Sequence, residues 1–143
     1  MEWVTVDKLP QYEGETVELR GWVYNYRSSG KIQFIIFRDG TGICQAVLFI
    51  KDVSPEVFEA GKQLTQESSI IIRGTVRKDD RAPGGYEIGV KDLEIVQIAE
   101  DYPITPKEHG TEFLMDHRHL WVRSSRQTAI LRIRNEITMS IHQ

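Results

Sequence analysis

The order of the predicted secondary-structure segments narrows the possible folds of this chain more than any other feature of its sequence. Alternation of apolar and polar residues is typical of half-buried strands. It predicts strands at residues 16–26, 32–38, 43–49, 69–77 and 86 to about 98. Ser54-Pro55-Glu56 is typical of a helix N-cap followed by proline at the first helical position, so a short helix is predicted from Ser54 to about Leu64.

Three strands, one helix and two further strands are the order found in the OB-fold, a partly open five-stranded barrel. An SH3-like barrel or a small sandwich could also supply five strands, but neither requires a helix at that place. We therefore expect a mainly β protein with an OB-fold barrel over residues 1–99 and the helix between its third and fourth strands.

The sequence changes character beyond Ala99. Pro103 and Pro106 predict an extended linker, because proline disfavours helix in the residue before it. A later set of isoleucines at spacings of three, four and four is the apolar stripe of an amphipathic helix that begins at roughly Ser125. These residues are Ile130, Ile133, Ile137 and Ile141. No stop signal ends this helix and its stripe faces nothing else in the chain, so we expect a sequence that is cut short.

The composition is that of an ordinary soluble domain, with 143 residues of which 40% are hydrophobic and 27% charged. No apolar run approaches the roughly 18 residues of a membrane helix, and the N-terminus lacks a signal-peptide pattern. The single Cys44 cannot form a disulfide within the chain, which fits a reducing compartment. We therefore expect a cytoplasmic protein with no membrane partner.

Charge is distributed unevenly along the chain, although the net charge is only −3. From Leu114 to Arg134 the only acidic residue is Asp116, against five arginines and two histidines. This pattern favours a polyanion partner and a solvated helix face about equally.

Sorting the alternating residues by face predicts a binding surface on the barrel. On the third strand, the small and aliphatic Cys44, Ala46 and Leu48 suit the interior, which leaves Gln45 outside. On the second strand, the same sorting places Phe34 outside, next to Arg38. The alternative is that Phe34 is a core aromatic and the assignment has slipped by one residue.

Cations are predicted in two loops that border the nucleic-acid-binding face of an OB-fold. Arg27 and Lys31 lie after the first strand, and Lys78 and Arg81 lie after the fourth. An aromatic ring framed by cations and an amide suits an unstacked base. The alternatives are that these cations are solvated loop charges and that Gln45 and Glu87 only contact solvent.

Signatures of catalysis are missing from the sequence. There is no phosphate-binding loop, no His-Glu-x-x-His motif and no cysteine pair. His109, His117, His119 and His142 could place metal ligands with Asp116, but no cysteine accompanies them. We expect no catalytic residue and no metal site.

Several motifs resemble a known family. Gly21-Trp22-Val23, Arg27-Ser28-Ser29-Gly30-Lys31, Phe34, Arg38-Asp39-Gly40-Thr41-Gly42 and Gln45 resemble the anticodon-binding domain of class II aminoacyl-tRNA synthetases for asparagine, aspartate and lysine. Residues 102–121 resemble the asparaginyl members specifically, and the resemblance covers essentially the whole chain.

The resemblance implies roles for individual residues. In this family the aromatic at the position of Phe34 stacks on the middle anticodon base, a uridine. The family residue at the position of Gln45 hydrogen-bonds that uridine, and the arginine at the position of Arg27 helps to hold the base. Glu87 falls near another anticodon contact, and residues 78–85 correspond to the loop that discriminates the flanking bases.

The resemblance also implies a domain organisation. Residues 1–99 would be the anticodon-binding domain, 100–113 a hinge, and 114–143 the start of an α+β catalytic domain whose first motif builds a homodimer. The parent enzyme would attach asparagine to its tRNA with ATP and Mg²⁺. The motifs that bind ATP and Mg²⁺ are not in this sequence, so we expect this chain to be inactive alone and to hold no cofactor.

Two other functions are compatible with the same residues. One is a sequence-tolerant single-strand nucleic-acid-binding OB protein. The other is an interaction module in which the isoleucine stripe is the functional surface and the barrel a scaffold.

Overall fold

The computed structural model describes residues 2–143 and divides into two compact units, one extending to Asp101 and the other spanning Tyr102–Gln143. The first unit contains six strands and two helical elements besides a short 3-10 turn. These are β1 Glu2–Trp3, a 3-10 helix Val6–Tyr12, β2 Thr16–Ser29, β3 Ile32–Arg38, β4 Ile43–Phe49, α1 Pro55–Gly61, β5 Ser69–Lys78, a 3-10 turn Pro83–Gly85 and β6 Tyr86–Gln97. The second contains α2 Thr111–Asp116, a 3-10 turn Trp121–Arg123 and α3 Ser125–His142.

Strands β2 to β6 close into a barrel in the order β2-β3-β4-β6-β5. The long strand β2 makes the closure possible because its N-terminal half pairs with β5 and its C-terminal half with β3. All neighbouring pairs are antiparallel except β4 and β6, which run parallel. The predicted OB-fold is confirmed, with α1 between the third and fourth barrel strands.

The change of partner along β2 occurs at Gly21 and Trp22. Gly21 faces the β3 backbone so closely that a Cβ atom there would lie 2.3 Å from the carbonyl oxygen of Arg38. Only a residue without a side chain allows the two backbones to meet in this way.

Alternate residues of every barrel strand form one core. Leu19, Ile35, Phe37, Leu48 and Ile72 are among its fully buried members. Phe58 and Leu64 join this core from α1 and the residues after it. Among the buried polar residues is Gln33, whose amide Nε2 donates to the carbonyl oxygen of Phe58 at 2.8 Å and so ties β3 to the helix.

A cross-strand ion cluster connects three strands on the outside of the barrel. The Arg73 guanidinium contacts Glu18 and Asp92 at 2.8 Å and Glu94 at 3.2 Å. Hydrogen bonds from Arg20 and Arg73 hold the pKa of Glu18 below its ordinary value. The cluster therefore links β2, β5 and β6 through one cation.

The hairpin between β2 and β3 differs from the prediction. Strand β2 continues to Ser29, three residues beyond the predicted end, so Arg27 lies in a strand and not in a loop. Only Gly30 and Lys31 form the turn, and Gly30 has the positive φ of 57° that a type II′ turn requires at its first central position. The glycine lets the two strands stay paired to their tips.

The N-terminal segment was not predicted to be regular. Asp39 explains its order: one carboxylate oxygen accepts from the backbone N–H of Val6 at 2.8 Å. The other oxygen accepts from the N–H groups of Thr41 and Gly42. The Arg38-Asp39-Gly40-Thr41-Gly42 motif therefore shapes its own turn and attaches the start of the chain to it.

The second unit ends in α3, and the helix predicted from roughly Ser125 is confirmed. The Ser124 hydroxyl accepts from the N–H of Gln127 at 3.4 Å and caps this helix. Before it, the rings of His109, Phe113 and His117 stack at centroid distances of 4.4 and 4.3 Å. Over residues 2–143, no helix has both the length and the apolar character needed to span a membrane.

Candidate nucleic-acid interface

Phe34 lies on the outer face of the barrel. Its neighbours Gln33 and Ile35 are fully buried, whereas Phe34 is only half-buried. The residues of β3 that face the core are thus Gln33, Ile35 and Phe37, and the face assignment has not slipped by one residue. A benzyl ring stands on the surface of the sheet, between Arg27 on β2 and Val47 on β4.

Arg27 packs directly on this ring. It is the cross-strand partner of Phe34, and its guanidinium carbon lies 4.4 Å from the ring centroid. This geometry is that of a cation–π contact. A base that binds here must therefore either displace the guanidinium or stack on its planar surface, and arginine planes stack well on bases.

Gln45 and Glu87 contact each other beside the aromatic platform, which is the Phe34 ring with the Arg27 guanidinium packed on it. They are paired residues of the parallel strands β4 and β6, and Gln45 Nε2 donates to a Glu87 carboxylate oxygen at 3.4 Å. Both side chains are partly buried. The two polar residues that the sequence predicted for this surface, Gln45 and Glu87, are thus in contact with each other.

Arg77 is a member of this group that the sequence analysis missed. It is the cross-strand partner of Glu87 in β5, and its Nε lies 3.9 Å from a Glu87 oxygen. Its guanidinium covers Gly89, where a Cβ atom would come within 2.0 Å of Nη2. An arginine at the end of an alternating strand and a glycine in the next strand are the only sequence signals for this arrangement.

Arg38 shares the outer face but is engaged elsewhere. Both carboxylate oxygens of Glu67 lie 2.6 Å from its Nη2, and its guanidinium carbon lies 5.3 Å from the ring centroid of Tyr24. Phe34 and Arg38 share the outer face as predicted, but Arg38 pairs with Glu67, and the cation that packs on the Phe34 ring is Arg27.

The three remaining predicted cations border the interface in different ways. Lys31 is exposed in the two-residue turn between β2 and β3, and Lys78 is the last residue of β5 rather than a loop residue. Arg81 projects from a loop with its side chain 92% exposed. Hydrogen bonds from the N–H of Asp79 to Gly85 and from Gly85 to Ala82 order this loop.

Asp79 anchors the same loop from its side chain. Its carboxylate accepts from the backbone N–H of Arg81 at 2.9 Å. This bond, together with the charge of the Arg81 side chain, lowers the pKa of Asp79. The loop therefore presents Arg81 from a defined backbone.

The isoleucine stripe belongs to the second unit and lies on α3. Ile130, Ile133, Ile137 and Ile141 are exposed by 47, 61, 57 and 77%. His109 and His117 stack on Phe113, and His119 stacks on His117. Within the described part of the chain no three His, Cys, Asp or Glu residues are grouped as metal ligands would be.

Comparison with known families gives one match over residues 17–96, to the family described as OB-fold nucleic acid binding domain. Among curated proteins, the asparagine–tRNA ligase of Symbiobacterium thermophilum is 90% identical over 143 residues, and that of Koribacter versatilis is 61% identical over 142. These alignments cover 100% and 97% of this chain. They cover only 33% and 32% of the two ligases, so the chain spans about a third of their length.

Solved structures agree with these sequence matches. The asparaginyl-tRNA synthetase of Pyrococcus horikoshii complexed with asparaginyl-adenylate aligns with a TM-score of 0.86 and 40% identity, over 95% of this chain and 32% of that one. An OBody bound to hen egg-white lysozyme aligns with a TM-score of 0.58 and 20% identity, over 67% of this chain and 92% of that one, which shows the fold alone.

Proposed function

The chain belongs to the family of OB-fold nucleic-acid-binding domains, and from this we propose that it is the anticodon-binding module of an asparagine–tRNA ligase. The observation that carries the proposal is the half-buried ring of Phe34 on the outer face of the barrel, under the Arg27 guanidinium and on the same face as the Gln45 amide. Identity of 90% to an asparagine–tRNA ligase over the whole chain supports the choice of tRNA.

Binding would begin with stacking. The middle anticodon base, a uridine, would lie on the platform of Phe34 and Arg27, which supplies about 1–3 kcal/mol per stacked base. Gln45 would hydrogen-bond the edge of that base. Lys31, Lys78 and Arg81 would contact phosphates around it, and these contacts weaken as salt rises.

We assign the barrel of residues 1–99 to anticodon recognition, 100–113 to a hinge and 114–143 to the start of the catalytic domain. The parent enzyme would be a cytoplasmic homodimer that attaches asparagine to its tRNA. ATP and Mg²⁺ would be held by other parts of that enzyme, since the described residues offer neither a phosphate-binding loop nor a group of three metal ligands.

Titration of an RNA hairpin carrying the asparagine anticodon, at fixed low salt, tests the proposal. We expect Phe34→Ala to weaken binding by about tenfold or more, because stacking energy is lost. Trp3→Ala is the matched control, since Trp3 is 57% exposed and also lies under a guanidinium, that of Arg20 at 5.3 Å. Equal affinity of the original chain and Phe34→Ala would contradict the proposal.

A second hairpin separates this function from sequence-tolerant binding. With cytidine in place of the middle uridine, an anticodon module loses affinity, and Gln45→Ala removes most of the difference. A single-strand binding protein without sequence preference would bind both hairpins alike.

A further inference from the structure

The contact between Gln45 and Glu87 settles which end of the amide faces away from β6. An ionised carboxylate has no proton to donate, so only the Nε2 end of the amide can hydrogen-bond to it. Nε2 lies 3.4 Å from Glu87, and across the other neighbouring strand Gln45 pairs with the aliphatic Ile36. No donor within residues 2–143 contacts Oε1 of Gln45, so this oxygen remains as an acceptor on the outer face.

Resting on the function proposed above, we propose that Glu87 is a positioning residue that fixes the Gln45 amide with its carbonyl oxygen toward the bound base. Arg77 assists by holding the carboxylate from β5. The pair thereby makes Gln45 an acceptor, and the site selects a base that presents an N–H group at that point.

The selection follows from the chemistry of the bases. A base stacked on Phe34 has a fixed position, so one atom of its pairing edge faces Oε1. N3 of uracil, the ring nitrogen on the pairing edge, carries a hydrogen and donates, whereas N3 of cytosine carries a lone pair and can only accept. If the amide could rotate by half a turn, it would present Nε2 and accept cytosine equally well. A freely rotating amide would therefore not distinguish the two bases, whereas an amide held in one orientation selects uracil over cytosine.

Arg77 is placed for this role by the local backbone. The absence of a side chain at Gly89 lets the guanidinium lie flat on β6, where a Cβ atom would be 2.0 Å from Nη2. From there its Nε lies 3.9 Å from the Glu87 carboxylate, whose side chain is only 14% exposed. The arginine thus pairs with a partly buried carboxylate beside Gln45.

The test compares two RNA hairpins, with uridine or cytidine at the middle anticodon position, against the full chain and its variants. The original chain should prefer uridine by about tenfold, the discrimination expected for one well-placed hydrogen-bonding group. Glu87→Gln should bring the ratio to within about threefold, because an amide at position 87 can accept or donate and no longer fixes Gln45. Affinity for the cytidine hairpin should rise in this variant, which damage to the fold would not produce.

Control variants isolate the mechanism. Glu94→Gln removes a carboxylate from the same strand, one that pairs with Arg73 instead, and should leave the ratio unchanged. Arg77→Met and Gly89→Ala should both lower the ratio, the second because its methyl group displaces the guanidinium.

The two proposals fail in different ways. If Phe34→Ala binds as well as the original chain, the proposed function is wrong. If the original chain uses Phe34 and prefers uridine, but Glu87→Gln keeps the same preference, only the positioning role of Glu87 is overturned.

Discussion

Cys44 shows how strongly the barrel interior acts on a single group. Its side chain is 1% exposed and faces Phe37 across the β3–β4 pair. Burial, with a smaller contribution from the charge of Asp39, raises the pKa of the thiol to about 12 from an ordinary value of 9.0. The folded state therefore keeps Cys44 protonated over a pH range in which the unfolded chain ionises it.

This shift predicts a loss of stability at alkaline pH. Below pH 9 the Cys44 thiol is protonated in both the folded and the unfolded state, and its contribution to stability is fully present. As pH rises from about 9 toward 12, the thiol ionises only in the unfolded state, so the free energy of unfolding falls. The Cys44 contribution should fall by about 1 kcal/mol between about pH 9 and about pH 10. Urea unfolding of the original chain and Cys44→Ala at neutral and alkaline pH measures it.

The Cys44→Ala variant also controls for the other groups that titrate at alkaline pH. Tyr12 also has a raised pKa, because its hydroxyl donates to Glu2 at 3.1 Å, but it contributes equally in both proteins. The same pH dependence with and without Cys44 would contradict the prediction.

At the candidate site, the sequence predicts the residues whose placement depends on one strand alone and misses those whose placement depends on the register between two strands. Alternation within one strand suffices to place Phe34 and Gln45 on the outer face, because the period of two is local. Arg77 was missed because its approach to Glu87 depends on the register of β5 and β6, which shifts between Arg73 and Gly74. An irregularity of this kind leaves no local pattern in the sequence.

Among the elements, β2 determines the shape of the barrel. It pairs with β5 over residues 16–22 and with β3 over residues 22–29, so it bends from one sheet neighbour to the other. The bend brings its backbone against the Arg38 carbonyl group at Gly21. The close approach of two backbones leaves no room for even one methyl group.

We expect Gly21→Ala to destabilise the fold by about 3 kcal/mol or more, at or above the upper end of the range for overpacking, because the clash is with backbone and cannot be relieved by a side-chain rotation. Urea unfolding measures the change. Gly40→Ala serves as the control, since a Cβ atom at Gly40 meets nothing within 4 Å. Equal stability of the two variants would show that β2 adjusts without cost.

The elements that the sequence failed to predict are those fixed by distant partners. Strand β1 has two residues and exists through its pairing with Val17 and Glu18 of β2. The following 3-10 helix starts where Asp39 accepts from Val6. The five barrel strands and α1, in contrast, carry their own periodicity and caps, and their order alone was enough to predict the fold.

For the molecule as a whole, α3 is the feature that points to assembly. Four isoleucines on one side of it are exposed by 47% or more. We propose that this stripe contributes to a homodimer of the parent enzyme, where it would bury apolar surface worth roughly 25 cal/mol per Å².

Sedimentation velocity over a range of concentrations tests self-association of this chain. If the stripe pairs, the sedimentation coefficient rises with concentration, and Ile137→Glu abolishes the rise because a charge cannot be buried unpaired. Asn135→Glu places the same charge on the opposite side of α3 and should leave the rise intact. A concentration-independent monomer would contradict dimerisation of this chain.

The closure of the barrel through β2 and β5 also dictates an order of events during synthesis. Thr16 and Thr75, which face each other at the seam, are separated by 59 positions along the chain. Contacts so distant in sequence slow folding relative to local ones. On the ribosome, the meander of β2, β3 and β4 can pair early, but it keeps open edges until β5 and β6 have left the exit tunnel. A nascent chain is therefore most vulnerable to aggregation during that interval, and slower translation before β6 would lengthen it.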